Sequence, residues 1–220
     1  MRNYFTKLLY LVVLVASFSA NASDYDDFFR AARADNASGM KSLLTKGFDP
    51  NTRDEKGQTA LLIAMREPSP KVIDVLIAFP KTDVEARNAK DESPLMLAAI
   101  KGQQDIVTKL IARDADINKP GWTPLHYAAT SGQIAIMKQL LDKDAFINAQ
   151  SPNGTTPLMM AAMYGSAAAV KLLLDEGADV AMKNEQGMSA ADFAERGKRP
   201  DALQLLGSAG TPKRPADGKW

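Results

Sequence analysis

The first residue to consider for chemistry is His126, the one histidine in the 220-residue sequence. An imidazole can act as a general base or a metal ligand near neutral pH. Nucleophilic catalysis would also need a nucleophile beside the ring and a third group to orient it, and the sequence around His126 supplies neither. The sequence contains no cysteine, which excludes thiolate chemistry, disulfides and most types of zinc site. We therefore predict no catalytic residue.

Two groups of acidic residues are the other candidates for chemistry, as hard-ion ligands or acid–base pairs. They are Asp49, Asp54 and Glu55, and Asp142, Asp144 and Asp175. Neither group has the twelve-residue spacing of a calcium loop. The sequence also has no motif typical of phosphate binding, dinucleotide binding or zinc proteases. We interpret these carboxylates as solvated loop residues and predict no metal site, no cofactor and no enzyme activity.

The charge balance argues against a polyanionic partner. The formal net charge is +1 at pH 7, which gives no long-range attraction to nucleic acid or anionic lipid. The basic pairs Lys198-Arg199 and Lys213-Arg214 are too short for a nucleic-acid footprint. We predict that the chain binds no nucleic acid.

Residues 1–22 resemble a secretory signal peptide. They combine basic Arg2 and Lys7 with an apolar run from Leu8 to Phe18, and Ala20-Asn21-Ala22 matches the small-residue cleavage pattern. The apolar run is shorter than the ~20 residues that a spanning helix needs. We therefore expect a periplasmic or secreted protein with no membrane association after cleavage, and the lack of cysteine favours a bacterial periplasm.

The elements that position these residues repeat along the chain. A turn motif opens a helix at five places, separated by steps of 34, 30, 33 and 33 residues. The motifs are Thr59-Ala60-Leu61, Ser93-Pro94-Leu95, Thr123-Pro124-Leu125, Thr156-Pro157-Leu158 and Ser189-Ala190-Ala191. A single helix pair cannot bury its own apolar face, so such pairs must stack on copies of themselves.

The repeat resembles the ankyrin-repeat family, because residues 123–128 read T-P-L-H-Y-A, the family signature, at its period of about 33 residues. The resemblance implies an all-α solenoid of about six stacked helix pairs with short β-hairpin turns. It also implies that His126 hydrogen-bonds the backbone within and between repeats, which is a structural role.

The repeats predict the domain organisation. After the signal peptide at 1–22, an ankyrin-repeat domain spans 23–207 and a flexible tail spans 208–220. Within the domain we place a cap at 23–51, repeats at about 52–85, 86–118, 119–148 and 149–181, and a C-terminal cap at 182–207. Pro68-Ser69-Pro70 should separate two helices and Pro200 should start the last one. The segment from Asn118 to Thr123 is three residues shorter than the equivalent segments of other repeats, so Lys119-Pro120-Gly121 should form a tight turn.

The resemblance also implies a binding surface, since ankyrin proteins usually hold partners on their concave side, by hairpin tips and the ends of first helices. The positions that match are Arg66, Lys90, Glu92, Lys101, Trp122, Asn153, Thr155, Met163, Tyr164 and Met188. Charged residues dominate the early repeats and aromatic or methionine residues the later ones. Trp122 and Tyr164 are the expected anchors, although Trp122 could instead cover its own repeat.

These features predict a non-catalytic, monomeric protein–protein interaction scaffold in the bacterial envelope. The family resemblance allows support of a stress-defence enzyme such as catalase. Two alternatives stay open: an immunity or inhibitor protein against a toxin or hydrolase, and a secreted effector that binds host proteins. The sequence does not identify the partner.

Overall fold

The computed structural model describes residues 23–209. The predicted signal peptide and residues 210–220 of the predicted tail lie outside this range. Within it the structure has twelve helices and no β-strand. The helices are α1 (23–33), α2 (Ala37–Thr45), α3 (Ala60–Arg66), α4 (Pro70–Ala78), α5 (Pro94–Ile100), α6 (Gln104–Ile111), α7 (Pro124–Thr130), α8 (Ile134–Leu141), α9 (Pro157–Met163), α10 (Ala167–Asp175), α11 (Ala190–Arg196) and α12 (Pro200–Ala209). The predicted six helix pairs are therefore present.

The chain divides into two compact units between Asp91 and Glu92. The first unit contains α1 to α4, with α2 packed on α4 and α3 on α4. Its core contains fully buried Phe28 and Met40. The centres of the Phe28 ring and of the Phe48 ring, which lies in the loop after α2, are 4.5 Å apart.

The second unit contains α5 to α12 in two rows. The first helices of each repeat pack in the order α5, α7, α9, α11, and the second helices α8, α10 and α12 pack in the same order. Small residues allow the close approach: a Cβ added to Gly165 would lie 2.4 Å from the carbonyl oxygen of Ala129. Glycine at this position is therefore required by backbone packing.

Polar caps and prolines set the helix boundaries. The side chains of Thr59 and Ser166 accept hydrogen bonds from the backbone at the starts of α3 and α10. The predicted break at Pro68-Ser69-Pro70 is confirmed, since α3 ends at Arg66 and α4 begins at Pro70. Pro200 starts α12, also as predicted, and this helix continues to Ala209, two residues beyond the predicted boundary of the domain.

Tight turns connect the repeats in place of extended hairpins. The amide of Ser151 donates to the carbonyl of Thr155 at 2.9 Å, and the amide of Gly154 donates back to Ser151 at 2.8 Å. In the first unit the equivalent turn closes with an isolated β-bridge between Arg53 and Thr59. The described residues therefore form tight turns, closed by backbone hydrogen bonds, at the positions of the predicted short hairpins.

Asparagine side chains tie successive loops together. Asn118 donates its side-chain amide to the carbonyl of Asp144 at 2.8 Å and accepts from the amide of Phe146 at 2.7 Å. Asn148 accepts from the amide of Asp179 at 3.0 Å in the same manner. Because each side chain mimics a peptide group, it fixes the register of one repeat on the next.

Candidate functional site

His126 lies at the centre of the second unit and both of its ring nitrogens have partners. The amide of Thr123 donates to Nδ1 at 3.2 Å, which leaves the proton on Nε2. Nε2 then donates to the carbonyl of Thr155 in the next repeat at 2.9 Å. The structure thus shows the bridging position between repeats that the family resemblance implied.

Burial lowers the pKa of His126 from 6.5 to about 4, and the nearby charge of Lys119 adds to this effect. A buried imidazole loses the hydration of its charged form, so the neutral form predominates at pH 7. The side chain is 0% exposed. Neutral, buried and fully hydrogen-bonded, His126 presents no nitrogen to a substrate.

The shortened turn before α7 is held by a buried lysine. Lys119 is only 2% exposed. Its Nζ donates to the carbonyl of Pro120 at 3.0 Å and to that of Trp122 at 3.1 Å. The ammonium therefore takes over carbonyl oxygens that a full-length hairpin would pair with backbone amides. The sequence predicted the tight turn, whereas this role of Lys119 was missed, because a lysine normally signals solvent.

Trp122 is half-buried. Its ring packs edge-on against the ring of His126, with the ring centres 5.2 Å apart. Such aromatic pairs are worth about 0.5–1.5 kcal/mol beyond their buried area. The ring thus covers its own repeat and still leaves part of its surface to solvent.

The exposed anchor of this region is Tyr164. It follows the last residue of α9 and is 57% exposed. Met163, which precedes it, is half-buried, as is Met188 in the following repeat. The three residues lie on neighbouring repeats, because α9 packs directly on α11.

The turns that carry the other candidates lie side by side. The amide of Glu185 donates to the carbonyl of Asn153 at 3.0 Å, which joins two adjacent turns. On the other side, Pro152 lies 3.6 Å from a Cβ placed on Gly121. We use the term tip surface for the part of the second unit defined by Trp122, Asn153, Met163, Tyr164 and Met188.

Thr155 does not belong to the tip surface. The sequence placed it at an exposed hairpin position, but it is 2% exposed. Its amide donates to the Oγ of Ser151 at 3.0 Å, and its carbonyl accepts the hydrogen bond from His126 Nε2. Because the turn folds its side chain inward, Thr155 leaves the set of contact residues.

The charged candidates are distributed over both units. Arg66 and Lys90 are exposed in the first unit, where Arg66 donates to Gln58 Oε1 at 3.0 Å. In the second unit Lys101 is exposed, and half-buried Glu92 accepts from the hydroxyl of Tyr127 at 3.1 Å. These side chains remain predicted contact residues.

Two of the acidic residues considered for chemistry have local structural roles, one as an acceptor within its turn and one in an ion pair. Asp54 accepts from the amides of Lys56 and Gln58 within its own turn, both at 2.9 Å. Asp175 pairs with Lys171 at 2.6 Å on the exposed face of α10. Within 23–209 no group of three or more His, Asp or Glu side chains is arranged to hold a metal ion.

A family model described as ankyrin repeats matches residues 28–120, 73–151 and 145–215. The chain belongs to the ankyrin-repeat family. This confirms the resemblance and the all-α solenoid fold. Ankyrin repeats bind other proteins and are generally non-catalytic scaffolds.

Solved structures agree with this assignment. An ankyrin repeat domain from Acinetobacter baumannii AYE superposes with a TM-score of 0.71 and 26% identity, covering 84% of this chain and 98% of the other. The complex of a predatory endopeptidase with an immunity protein, from Bdellovibrio bacteriovorus, contains a chain with a TM-score of 0.72 and 27% identity, covering 83% and 97%.

Curated relatives match over a shorter region. Human neurogenic locus notch homolog protein 4 is 37% identical over 86 residues, which is 39% of this chain and 4% of that protein. Since the chain spans so small a share of this relative, the match supports the repeat and not the activity of the larger protein. Among the described residues, no helix is long and apolar enough to cross a membrane.

Proposed function

We propose that the chain is a non-catalytic scaffold that binds a folded partner protein through the tip surface. The observation that carries the proposal is Tyr164, a large aromatic side chain that is 57% exposed at the C-terminal end of α9. Tyrosine and tryptophan are over-represented among residues that dominate binding energy. Half-buried Trp122, Met163 and Met188 supply further apolar area on the same and neighbouring repeats, and Asn153 supplies an exposed polar group.

The packing of the second unit supports this role. The free-energy cost of ordering an interface side chain is smallest when that side chain is already fixed before binding. Trp122 is fixed by its contact with His126, and α9, which leads into Tyr164, is packed between α7 and α11. The Trp122 ring and the backbone that leads into Tyr164 are therefore held in place before binding, which lowers the ordering cost of association.

The test is partner capture from an extract of the source cell by the wild-type chain and by the Tyr164→Ser variant. We expect the variant to lose capture at least tenfold, since truncating a hot spot costs about 2 kcal/mol or more. Lys138→Ser is the control, because Lys138 is exposed on α8 and lies outside the tip surface. Equal capture by the Tyr164→Ser variant and the wild type would remove the proposal.

A second candidate function is inhibition of a hydrolase, as an immunity protein provides. It is favoured by the structural similarity to a chain of the endopeptidase–immunity protein complex. Its test is to assay hydrolase activity of the captured partner with and without an equimolar amount of the chain. Loss of that activity supports inhibition, and unchanged or increased activity supports a scaffold for an enzyme, such as the catalase considered above.

We also propose that the protein works in the periplasm or outside the cell. The support is the basic start, apolar run and small-residue cleavage pattern within residues 1–22. Cell fractionation followed by N-terminal sequencing tests it. A periplasmic chain that begins near Ser23 is expected, and a cytosolic chain that retains residues 1–22 would contradict the proposal.

A further inference from the structure

In four of the loops that follow second helices, an aspartate makes the same hydrogen bond. Asp49, Asp83, Asp116 and Asp179 each accept a hydrogen bond from the amide two residues later, at 2.8–2.9 Å. The equivalent position after α8 is Phe146, which follows Ala145 as Asp116 follows Ala115 and Asp179 follows Ala178. Phenylalanine has no acceptor for the amide of Asn148, so this loop lacks its cap.

The substitution does not serve the core. Phe146 is 64% exposed, the most exposed of the large hydrophobic residues in the described chain. Its backbone is nevertheless fixed, since its amide donates to Asn118 Oδ1 at 2.7 Å and its carbonyl accepts from Ala149 at 3.0 Å. The ring therefore projects from an anchored loop.

The surroundings of Phe146 are acidic. The asparagine ties place three loops side by side, at residues 112–118, 142–148 and 175–181. These loops contain seven acidic residues and two basic ones. We name Phe146 and the acidic residues around it the loop surface: Asp114, Asp116, Asp142, Asp144, Phe146, Asp175, Glu176 and Asp179.

Helix ends add to the negative potential of the loop surface. The helices α6, α8 and α10 end at Ile111, Leu141 and Asp175, so each presents its C-terminus to these loops. A helix C-terminus bears about half a negative elementary charge. The seven acidic residues outnumber the two basic residues of these loops together with Lys171, which pairs with Asp175. The remaining charge repels anionic membranes and a second copy of the same surface.

We propose that the loop surface is a second interaction site, which binds an arginine-containing basic segment of a partner protein with its guanidinium over the Phe146 ring. A guanidinium is planar and weakly hydrated, so it stacks on an aromatic face and pairs with carboxylates at the same time. Lysine pairs with the same carboxylates but stacks less well. This site is additional to the tip surface, since none of its residues belongs to both.

The probe is an octa-arginine peptide, titrated into the full chain by calorimetry at low salt, with octa-lysine as the comparison. We expect octa-arginine to bind at least fivefold more tightly than octa-lysine. The decisive variant is Phe146→Asp, which restores the capping residue of the other loops and adds one negative charge. It should therefore fold at least as stably as the wild type.

A surface that attracts cations by charge alone would bind octa-arginine more tightly in Phe146→Asp. If the wild-type surface binds arginine through the ring, Phe146→Asp binds octa-arginine at least fivefold more weakly and no longer distinguishes octa-arginine from octa-lysine. The second result supports the proposal. Equal or tighter binding by Phe146→Asp overturns it, as does the absence of octa-arginine binding to the wild type. Tyr164→Ser is the matched control and should bind octa-arginine as the wild type does, which separates this proposal from that of the tip surface.

Discussion

Acidification to pH 5 should destabilise the protein through His126. The folded pKa of about 4 lies below the unfolded value of 6.5. As the pH falls, the unfolded chain therefore binds the proton first, so stability is full above about pH 6.5 and declines through the window between 6.5 and 4. At pH 5 the imidazole is almost fully protonated in the unfolded chain and about one-tenth protonated in the folded one. The resulting loss relative to pH 8 is about 2 kcal/mol.

The assay is urea unfolding followed by circular dichroism at pH 8 and pH 5. With a denaturant slope on the order of 2 kcal/mol per molar, the midpoint should fall by about 1 M urea. Carboxylates whose pKa the fold lowers act in a separate window. Hydrogen bonds from Ser189 lower the pKa of Asp192, and a hydrogen bond from Arg199 lowers that of Asp201, both from 3.8. Their stabilisation is present above that value and is lost only at lower pH.

His126→Gln supplies the control. The variant should be less stable than the wild type at pH 8, because the bridge to Thr155 is weakened. It contains no histidine, so its urea midpoint should fall much less between pH 8 and pH 5 than that of the wild type. If the variant shifts by the same 1 M urea as the wild type, the destabilisation comes from other groups. The assignment of the acid sensitivity to a buried, neutral His126 would then be wrong.

Three further predictions concern stability, each measured by thermal and urea unfolding. Gly165→Ala should destabilise by about 2 kcal/mol or more, since the new Cβ would lie 2.4 Å from the carbonyl oxygen of Ala129, whereas Gly207→Ala, with nothing within 4 Å in α12, should be neutral or stabilising. Lys119→Met should cost about 1–3 kcal/mol, because it removes the ammonium that bonds two carbonyls; an unchanged midpoint would contradict that role. Asn118→Ala should cost about 1–2 kcal/mol through the loss of two hydrogen bonds to the next loop, and a neutral result would show that the packed helices alone fix the register.

Much of the fold could be predicted because it depends on a local signal that repeats. Thr123-Pro124 starts a helix for reasons contained in those two residues, a capping hydroxyl and a fixed backbone angle, and the period of about 33 residues states where the copies lie. Long-range packing was not needed for this inference.

Side-chain exposure was harder to predict, because it depends on which way a short turn closes. Thr155 and Asn153 are two residues apart in one turn, yet Thr155 is buried and Asn153 exposed. Lys119 is buried by a turn three residues shorter than its counterparts, where its long side chain folds back onto carbonyl oxygens. No property of the residue types distinguishes these outcomes, which arise from the path of the backbone.

Departures from the repeat are informative because the array tolerates them unequally. The loop hydrogen bond that is missing after α8 costs about 1 kcal/mol, an amount typical of a single hydrogen bond. The four capped loops show that aspartate fits the position, so Phe146 is not imposed by the local geometry. The shortened turn before α7 differs, because its buried ammonium and the Trp122–His126 contact compensate locally for what is missing. An uncompensated departure indicates selection for something outside the fold, and on this argument Phe146 is a stronger candidate for partner contact than Trp122.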